Sequence, residues 1–313
     1  MNIVFLGSSE FAVPSLKALS AAKHNISCVI TQPDRLSGRG LHSTSTPVKI
    51  LAKKIGLKIY QPENINASAS INFLKNLRPD LFIVIAYGQI LSAGVLDIPK
   101  LFTINIHASL LPKYRGAAPI NWAIINGDRL TGITAIQVNE KMDAGPIILQ
   151  KELPIKDSDN SITLEEKLSH LGASLLMDVV DSIKSKKYKL TPQEEEKKSL
   201  AKKLQKKDGL INWQDSAHDI YNLIRGCVNW PGAFTYYRGK LLKVYRAEIS
   251  PSDNRSQVQA GQILNVSKDG LSVKAGSGSL TIKELQIEGK RRLIAQDFIA
   301  GHKISVGESF DKK

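Results

Sequence analysis

Cysteine is scarce in this chain, and no long apolar run occurs. The 313 residues include two cysteines, Cys28 and Cys227, far apart and without a C-x-x-C or a histidine at ligand spacing. That argues against a disulfide framework and a zinc-type ligand set, so no metal is expected. Cys28, inside "ISCVIT", reads as a core residue. No apolar stretch approaches the roughly 18 residues that span a bilayer. The start, "MNIVFLGSSEF", lacks a basic leader, and its apolar run is only Ile3 to Leu6. It reads as a first strand rather than a signal peptide. The expectation is a protein of the reducing cytoplasm with no membrane association. No G-x-G-x-x-G follows that strand. Gly7 stands alone in "GSSEFAVPS", which disfavours a dinucleotide, although a glycine at a strand's carboxyl end still suits a ligand crevice.

Acidic residues are also short, at 29 against 43 Lys and Arg, for a net charge of +14. The excess is uneven. Residues 1–180 hold 18 basic and 14 acidic side chains, and residues 181–313 hold 25 and 15, a net of +4 against +10. Positive charge at this level attracts phosphate polyanions, though a solvated basic surface would give the same count.

What is present in the first half is alternation. "NIVFL", "ISCVIT", "LKIY", "DLFIVIA" and "FTINIH" are strand-length apolar runs, separated by amphipathic segments around 12–22, 48–55, 65–77 and 89–96. This predicts parallel βαβ units, an α/β class with a doubly wound, mostly parallel, Rossmann-like sheet. Two more strands, "GITAIQV" and "GPIILQKELPI", flank "NEKMDAG", and Leu164, Leu168, Leu171, Leu175 and Val179 recur at helical spacing. The segment 184–209 is almost all charge and includes Pro192, which predicts a surface-crossing linker. Beyond it, short runs separated by Arg-Gly, Asp-Gly and Gly-Ser turns predict a small antiparallel β-barrel. The expected domains are 1–189, a charged linker at 190–207, and a basic β domain at 208–313.

One stretch raises a chemical question: "NIHASLLPKYRGAAPINWAI", residues 105–124. Side chains alternate faces along a strand, so Asn105 and His107 point one way and Ile104 and Ile106 the other. An amide and an imidazole at a strand's carboxyl end, with Asp143 of "KMDAG" able to reach them, form a set suited to acyl transfer. The amide and a protonated imidazole can stabilise an oxyanion, and the carboxylate can orient His107 and relay protons. No serine or cysteine nucleophile is placed by motif, which favours direct attack by an amine. A structural histidine and an ordinary Asp-Ala-Gly turn are the competing reading of the same spacing.

The stretch "NIHASLLPKYRGAAP", with "TQPDRLSGRG…TPVK" at 31–49, "IAYGQIL" at 85–91, "MDAGPI" at 142–147, "LQKKDGLINW" at 204–213 and "NWPGAF" at 229–234, resembles the folate-dependent formyltransferases. Over nearly the whole chain, the resemblance is to the methionyl-tRNA formyltransferase family. It implies formyl transfer from 10-formyltetrahydrofolate to the α-amine of methionyl initiator tRNA, for translation initiation. It assigns Asn105 and His107 to the formyl oxyanion and Asp143 to proton management. Ser109, Leu110, Leu111 and Pro112, with the Tyr87-Gly88 turn, are implied to face the folate. The carboxy-terminal part is implied to be an oligonucleotide-binding-like barrel supporting tRNA. Arg35, Arg39, Lys206, Lys207, Lys290, Arg291 and Arg292 are the candidate tRNA contacts, and a monomer is expected. The chain departs from the family's pattern at Leu41-His42, where basic residues are usual after Gly-Arg-Gly, at Ser8-Ser9-Glu10, and at Asn212. The alternatives are a formyltransferase for a small amine, such as a nucleotide sugar or ribonucleotide, a formyltetrahydrofolate hydrolase, and a non-catalytic RNA-binding protein.

Overall fold

In the computed structural model, which describes residues 1–37, 42–250 and 258–310, the chain packs as two compact units that do not follow chain order. The first comprises residues 1–119, 130–154 and 165–201, and the second comprises 120–129, 155–164 and 202–313.

The β-branched runs form the expected strands. The elements run β1 (Asn2–Gly7), α1 (Val13–Ala21), β2 (Asn25–Ile30), β3 (Arg35–Ser37), β4 (His42–Thr44), α2 (Pro47–Lys54), β5 (Ile59–Tyr60) and α3 (Ser68–Asn76). They continue as β6 (Leu81–Ile85), α4 (Ala93–Leu96), β7 (Phe102–His107), β8 (Arg115–Gly116), α5 (Pro119–Ile125), β9 (Leu130–Gln137), β10 (Ile147–Pro154), α6 (Ser161–Lys184) and β11 (Leu200–Ala201). The main sheet has the order β10-β9-β7-β6-β1-β2-β5. Its β5, β2, β1, β6 and β7 are parallel, whereas β9 runs antiparallel to both β7 and β10. The chain winds outward from β1 through β2 to β5, then returns to β6 and β7. That places a topological switch beside the carboxyl ends of β1 and β6, where open α/β sheets form their crevices. Val4, Leu6, Ile30 and Phe82 pack with Leu74 of α3 and Val95 of α4 on one face. At Gly172 of α6, a Cβ would lie 3.3 Å from Ile106, so that helix covers β7 closely.

Two segments differ from the sequence expectation. Residues 34–46, read as a loop, include the antiparallel pair β3–β4, whose three-residue strands are too short for periodicity to reveal. Asp34 anchors the base of that pair by accepting from Lys49, Gln61 and Ser45, and these bonds hold its carboxyl below the usual range. The charged segment 190–207 is more than a tether. Thr191 bridges Ile147, and β11 pairs in parallel with β8.

The second unit adds α7 (Ala217–Gly226), β12 (Ala233–Tyr237), β13 (Lys240–Ser250), β14 (Ile263–Ser267), β15 (Gly270–Lys274), β16 (Ser279–Ile287), β17 (Leu293–Ile294) and α8 (Ala295–Gly301). Its strands form an antiparallel six-stranded sheet, ordered β12-β13-β16-β15-β14 with β17 on β16. The Arg238-Gly239 hairpin turn falls where the sequence puts it, with both residues at positive φ (49° and 73°), as a twisted two-residue turn requires. Sequence periodicity did not disclose α7 and α8. Ile220 and Ile224 of α7 and Phe298 of α8 join the apolar core of this sheet, each such burial stabilising by about 1.5–3 kcal/mol. Arg225 donates to the carbonyls of Lys156 and Asp159, which ties residues 155–164 to α7. No helix among the described residues is long and apolar enough to cross a membrane.

Candidate active site

Strand β7 delivers the first two polar groups. Ile104 and Ile106 are buried, Asn105 is half-buried, and His107 is 6% exposed. The third comes from the β9–β10 connection. Asn105 Nδ2 donates to Asp143 Oδ1 at 3.3 Å, and His107 Nδ1 lies 3.6 Å from Asp143 Oδ2. His107 Nε2 sits 2.9 Å from the Tyr114 carbonyl oxygen. A carbonyl can only accept, so Nε2 carries the proton. Nδ1 is therefore the ring atom facing Asp143, and it donates only when the imidazole is protonated. The separation of 3.6 Å exceeds a hydrogen bond, which leaves Nδ1 open to a third atom. Asn105 also has a second amide hydrogen to offer.

Asp143 is held rather than hung. Its φ is +49°, a left-handed conformation that Asp tolerates better than most residues. The Gly116 N–H donates to Oδ2 at 2.9 Å. The main chain of the loop is fixed separately, because Gln193 Nε2 donates to the carbonyls of Asp143 and Gly145, both at 2.8 Å. Gly145 is where the loop touches β9, and a Cβ there would lie 1.7 Å from the Gln137 carbonyl oxygen. Gly116, at φ +124°, serves the other side, with the Ala201 carbonyl 2.6 Å from where its Cβ would be.

The segment after β7 is fixed by polar groups from β9 and β10. Thr134 Oγ1 donates to the Ser109 carbonyl at 2.6 Å and accepts from the Leu111 N–H. Gln150 Nε2 donates to the Leu111 carbonyl and to Thr134. Of the implied folate-facing residues, Ser109 and Leu111 are buried, with Ser109 Oγ donating to the Lys113 carbonyl. Leu110 and Pro112 are half-buried. Tyr87 and Gly88 follow β6, the strand paired beside β7, so both segments emerge at the same sheet end. Gly88 is exposed, whereas Tyr87 is a core side chain whose burial pushes its phenol well above the ordinary range. Beside Gly88, Gln32 Nε2 is buried without a partner among the described residues, a donor that a polar ligand ring would satisfy.

The candidate tRNA contacts have different surroundings. Arg35 is exposed and donates to Gln32 Oε1 at 3.3 Å. Arg39 lies outside the described residues. Lys206 and Lys207 are exposed on a short 3-10 turn, and Lys290 and Arg291 are exposed beside β17. Arg292 is already committed, pairing with Glu284 and lying 4.1 Å over the Tyr245 ring.

Sequence reasoning missed the supporting groups Gln193, Thr134 and Gln150, and gave Arg115 no role. Arg115 Nε and Nη2 donate to Gln193 Oε1, and Nη2 also pairs with Glu195. Gln193 is the neutral side chain at the start of "QEEEKK", and charge composition hid it. Chemically, the arrangement brings two donors and one carboxylate together. Burial pushes the Cys28 and Cys227 thiols up to about 11 and about 12.

Comparison with known proteins bears on the family. Residues 1–180 match the formyl transferase family model, and residues 203–303 match that of the formyl transferase C-terminal domain. The methionyl-tRNA formyltransferase of Acetivibrio thermocellus is 43% identical over 308 residues, covering 98% of this chain and 99% of its own. That of Citrifermentans bemidjiense is 42% identical over 313 residues, covering 100% and 97%. Among solved structures, the sugar 3N-formyl transferase WlaRD aligns at a TM-score of 0.65 with 19% identity, covering 93% of this chain and 99% of that one. HypX from Aquifex aeolicus, in complex with tetrahydrofolic acid, aligns at 0.65 with 16% identity, covering 95% of this chain and 46% of its own. Those two structures share the fold, and the family models and full-length relatives go further: the chain belongs to the formyl transferase family.

Proposed function

We propose that the protein transfers the formyl group of 10-formyltetrahydrofolate to the α-amine of methionine esterified to initiator tRNA, the step that readies it for translation initiation. The observation that carries this reading is the convergence of Asn105, His107 and Asp143 at the carboxyl end of β7. The full-length likeness to methionyl-tRNA formyltransferases supplies the acceptor.

When bound, 10-formyltetrahydrofolate supplies a formyl carbon whose leaving group is its own N10. The residues of the chain then divide the work. Asn105 offers its free amide hydrogen to the formyl oxygen as negative charge develops there. His107, protonated, donates to the same oxygen from Nδ1, with its other nitrogen fixed by the Tyr114 carbonyl. Asp143 accepts the proton that the amine gives up as the new C–N bond forms, and that proton is passed to N10 as the old C–N bond breaks. Such preorganised donors are worth roughly 100- to 1000-fold each in turnover.

On this reading, Ser109 to Pro112 and the Tyr87-Gly88 turn wall the folate, with Gln32 an added donor. Residues 1–189 are the catalytic domain, 190–207 the linker and 208–313 the tRNA-supporting domain. Arg35, Arg39, Lys206, Lys207, Lys290 and Arg291 contact phosphates, and Arg292 contributes less because Glu284 already neutralises it. The protein works as a cytoplasmic monomer. The test is formyl transfer from 10-formyltetrahydrofolate to charged initiator tRNA, compared with free methionine. Transfer to the tRNA alone is expected. Equal use of free methionine, or release of formate without any acceptor, would overturn the proposal.

A further inference from the structure

We infer that Gln193 is a positioning residue for catalysis, through which the segment 191–201 sets the place of Asp143. The inference rests on the catalytic reading of Asn105, His107 and Asp143 given above. Three sets of contacts carry it. Gln193 Nε2 spends both its hydrogens on the loop that carries the carboxylate, one on the Asp143 carbonyl and one on that of Gly145, each at 2.8 Å. Its Oε1 accepts from Arg115 Nε and Nη2 at 3.0 and 2.8 Å, so the amide cannot flip without losing all four bonds. Arg115 is itself 6% exposed and anchored by Glu195.

The same short stretch also grips the other side of the site. Tyr114, whose carbonyl orients His107, donates its N–H to Ser199 Oγ at 2.9 Å. The Arg115 N–H goes to the Ser199 carbonyl, and the Ala117 N–H to that of Ala201. Gly116, next in line, donates to the Asp143 carboxylate. Residues 191–201 thus fix the orienting group of His107 and the main chain of Asp143 at once.

The physical requirement is clear at Asp143. A non-glycine residue at φ +49° relaxes when its supports are removed. Two carbonyls left without donors would be drawn toward water, turning the carboxylate away from Asn105 and His107. Misplacing a catalytic group by about 1 Å costs on the order of 100-fold in rate. Substrate affinity depends on other contacts and changes little.

The test uses the full-length protein with Gln193→Glu as the main variant. A glutamate keeps the size of the side chain and its acceptor bonds to Arg115, but cannot donate to the two carbonyls. Turnover, both KM values, melting temperature and folate-binding stoichiometry are measured for it and for Gln193→Ala. Glu194→Gln, which changes a surface pair with Lys197, serves as the neighbour control. The expected result is a 10- to 100-fold loss of kcat in both Gln193 variants, consistent with that sensitivity. KM should stay within about twofold of the parent, as contacts made only in the transition state predict. One folate should still bind per chain, and Glu194→Gln should match the parent. The parent kcat in Gln193→Glu, alongside inactive His107→Ala and Asp143→Asn, would overturn this inference alone. A kcat loss matched by lost folate stoichiometry would also overturn it, since that marks misfolding. Activity in His107→Ala and Asp143→Asn would remove the catalytic reading and this inference together.

Discussion

The two units bury different kinds of atoms. The first buries His107, Ser109, Arg115 and Thr134, and their bonds converge on the end of β7. The second buries mainly apolar side chains, Trp213, Ile220, Leu242, Leu271, Leu285 and Phe298 among them, keeps its buried Arg225 and Asp159 for structural bonds, and leaves Lys206, Lys207, Lys290 and Arg291 outside. The difference follows from what each interaction needs. A donor that stabilises developing charge works best away from water, where its field is unscreened and its orientation fixed. Cations that meet a phosphate chain gain by releasing counterions, so they work from the surface.

The largest effect should come from the buried polar cluster. Asn105→Ala and His107→Ala are each expected to lower kcat by roughly 100- to 1000-fold, and Asp143→Asn by a similar factor. Folate binding, read by titration, should change little, because these groups act mainly in the transition state. Near-normal turnover in purified His107→Ala would break the comparison at its first term.

A smaller effect is expected from Arg39, between Gly38 and Gly40 and outside the described residues. With Leu41 and His42 standing where the family resemblance leads one to expect basic residues, one guanidinium has a larger share of this segment's charge. Arg39→Ala should reduce transfer to tRNA by about 10- to 100-fold, the worth of one charge-assisted hydrogen bond. Folate binding should be unaffected. Protease cleavage within 34–46 should also slow when charged initiator tRNA is present. Equal cleavage with and without it, together with full activity of Arg39→Ala, would show that this segment does not grip the acceptor.

The exposed cations of the second unit can be tested by salt. Log affinity for tRNA should fall with log salt by roughly 0.7–0.9 per phosphate contact. Changing Lys290 and Arg291 to alanine together should flatten that slope by about 1.5, if each holds one phosphate. Arg292→Ala should change it less, because its guanidinium already meets Glu284 and the Tyr245 ring. A larger change from Arg292 than from its neighbours would mean that RNA displaces the internal ion pair.

Periodicity reveals what is repeated, and the parallel sheet is repeated structure. Five apolar strand runs, joined by four helical segments, left their pattern in the sequence, as did the alternation of Ile104 and Ile106 against Asn105 and His107. The return of Asp143 to that strand end rested on chemistry and resemblance, and the geometry brings it there. Gln193 could not be read. Its role depends on a chain reversal that brings residue 193 to residue 143, and a charged neighbourhood carries no trace of that contact. The packing of 120–129 and 155–164 with the rest of the second unit was equally silent, since it rests on contacts distant in sequence, such as Asn121 to the Gly226 carbonyl and Arg225 to the carbonyls of Lys156 and Asp159. Short elements escaped for a related reason: α7 is only ten residues long, too short for its apolar face, Ala217, Ile220 and Ile224, to build a long repeat.

That helix supplies the smallest expected effect and the sharpest control. Ser216 caps α7 from an extended conformation (φ −66°, ψ 155°), its Oγ accepting from the Asp219 N–H at 3.1 Å. The same hydroxyl donates to Asp219 Oδ2 at 2.6 Å, so one side chain satisfies an orphan backbone donor and fixes the first-turn acid. Alanine removes both bonds, and loss of such a cap costs about 1 kcal/mol. In a unit of this size that lowers the melting temperature by about 2–4 °C. Ile220 and Ile224 still hold the helix to its sheet, so the fold survives. Turnover with saturating charged tRNA should equal that of the parent, because the second unit is assigned to holding the acceptor and the first to the chemistry. A folded Ser216→Ala protein with a kcat as low as that of His107→Ala would show that the second unit takes part in the transition state, and the division between buried donors and surface cations would have to be abandoned.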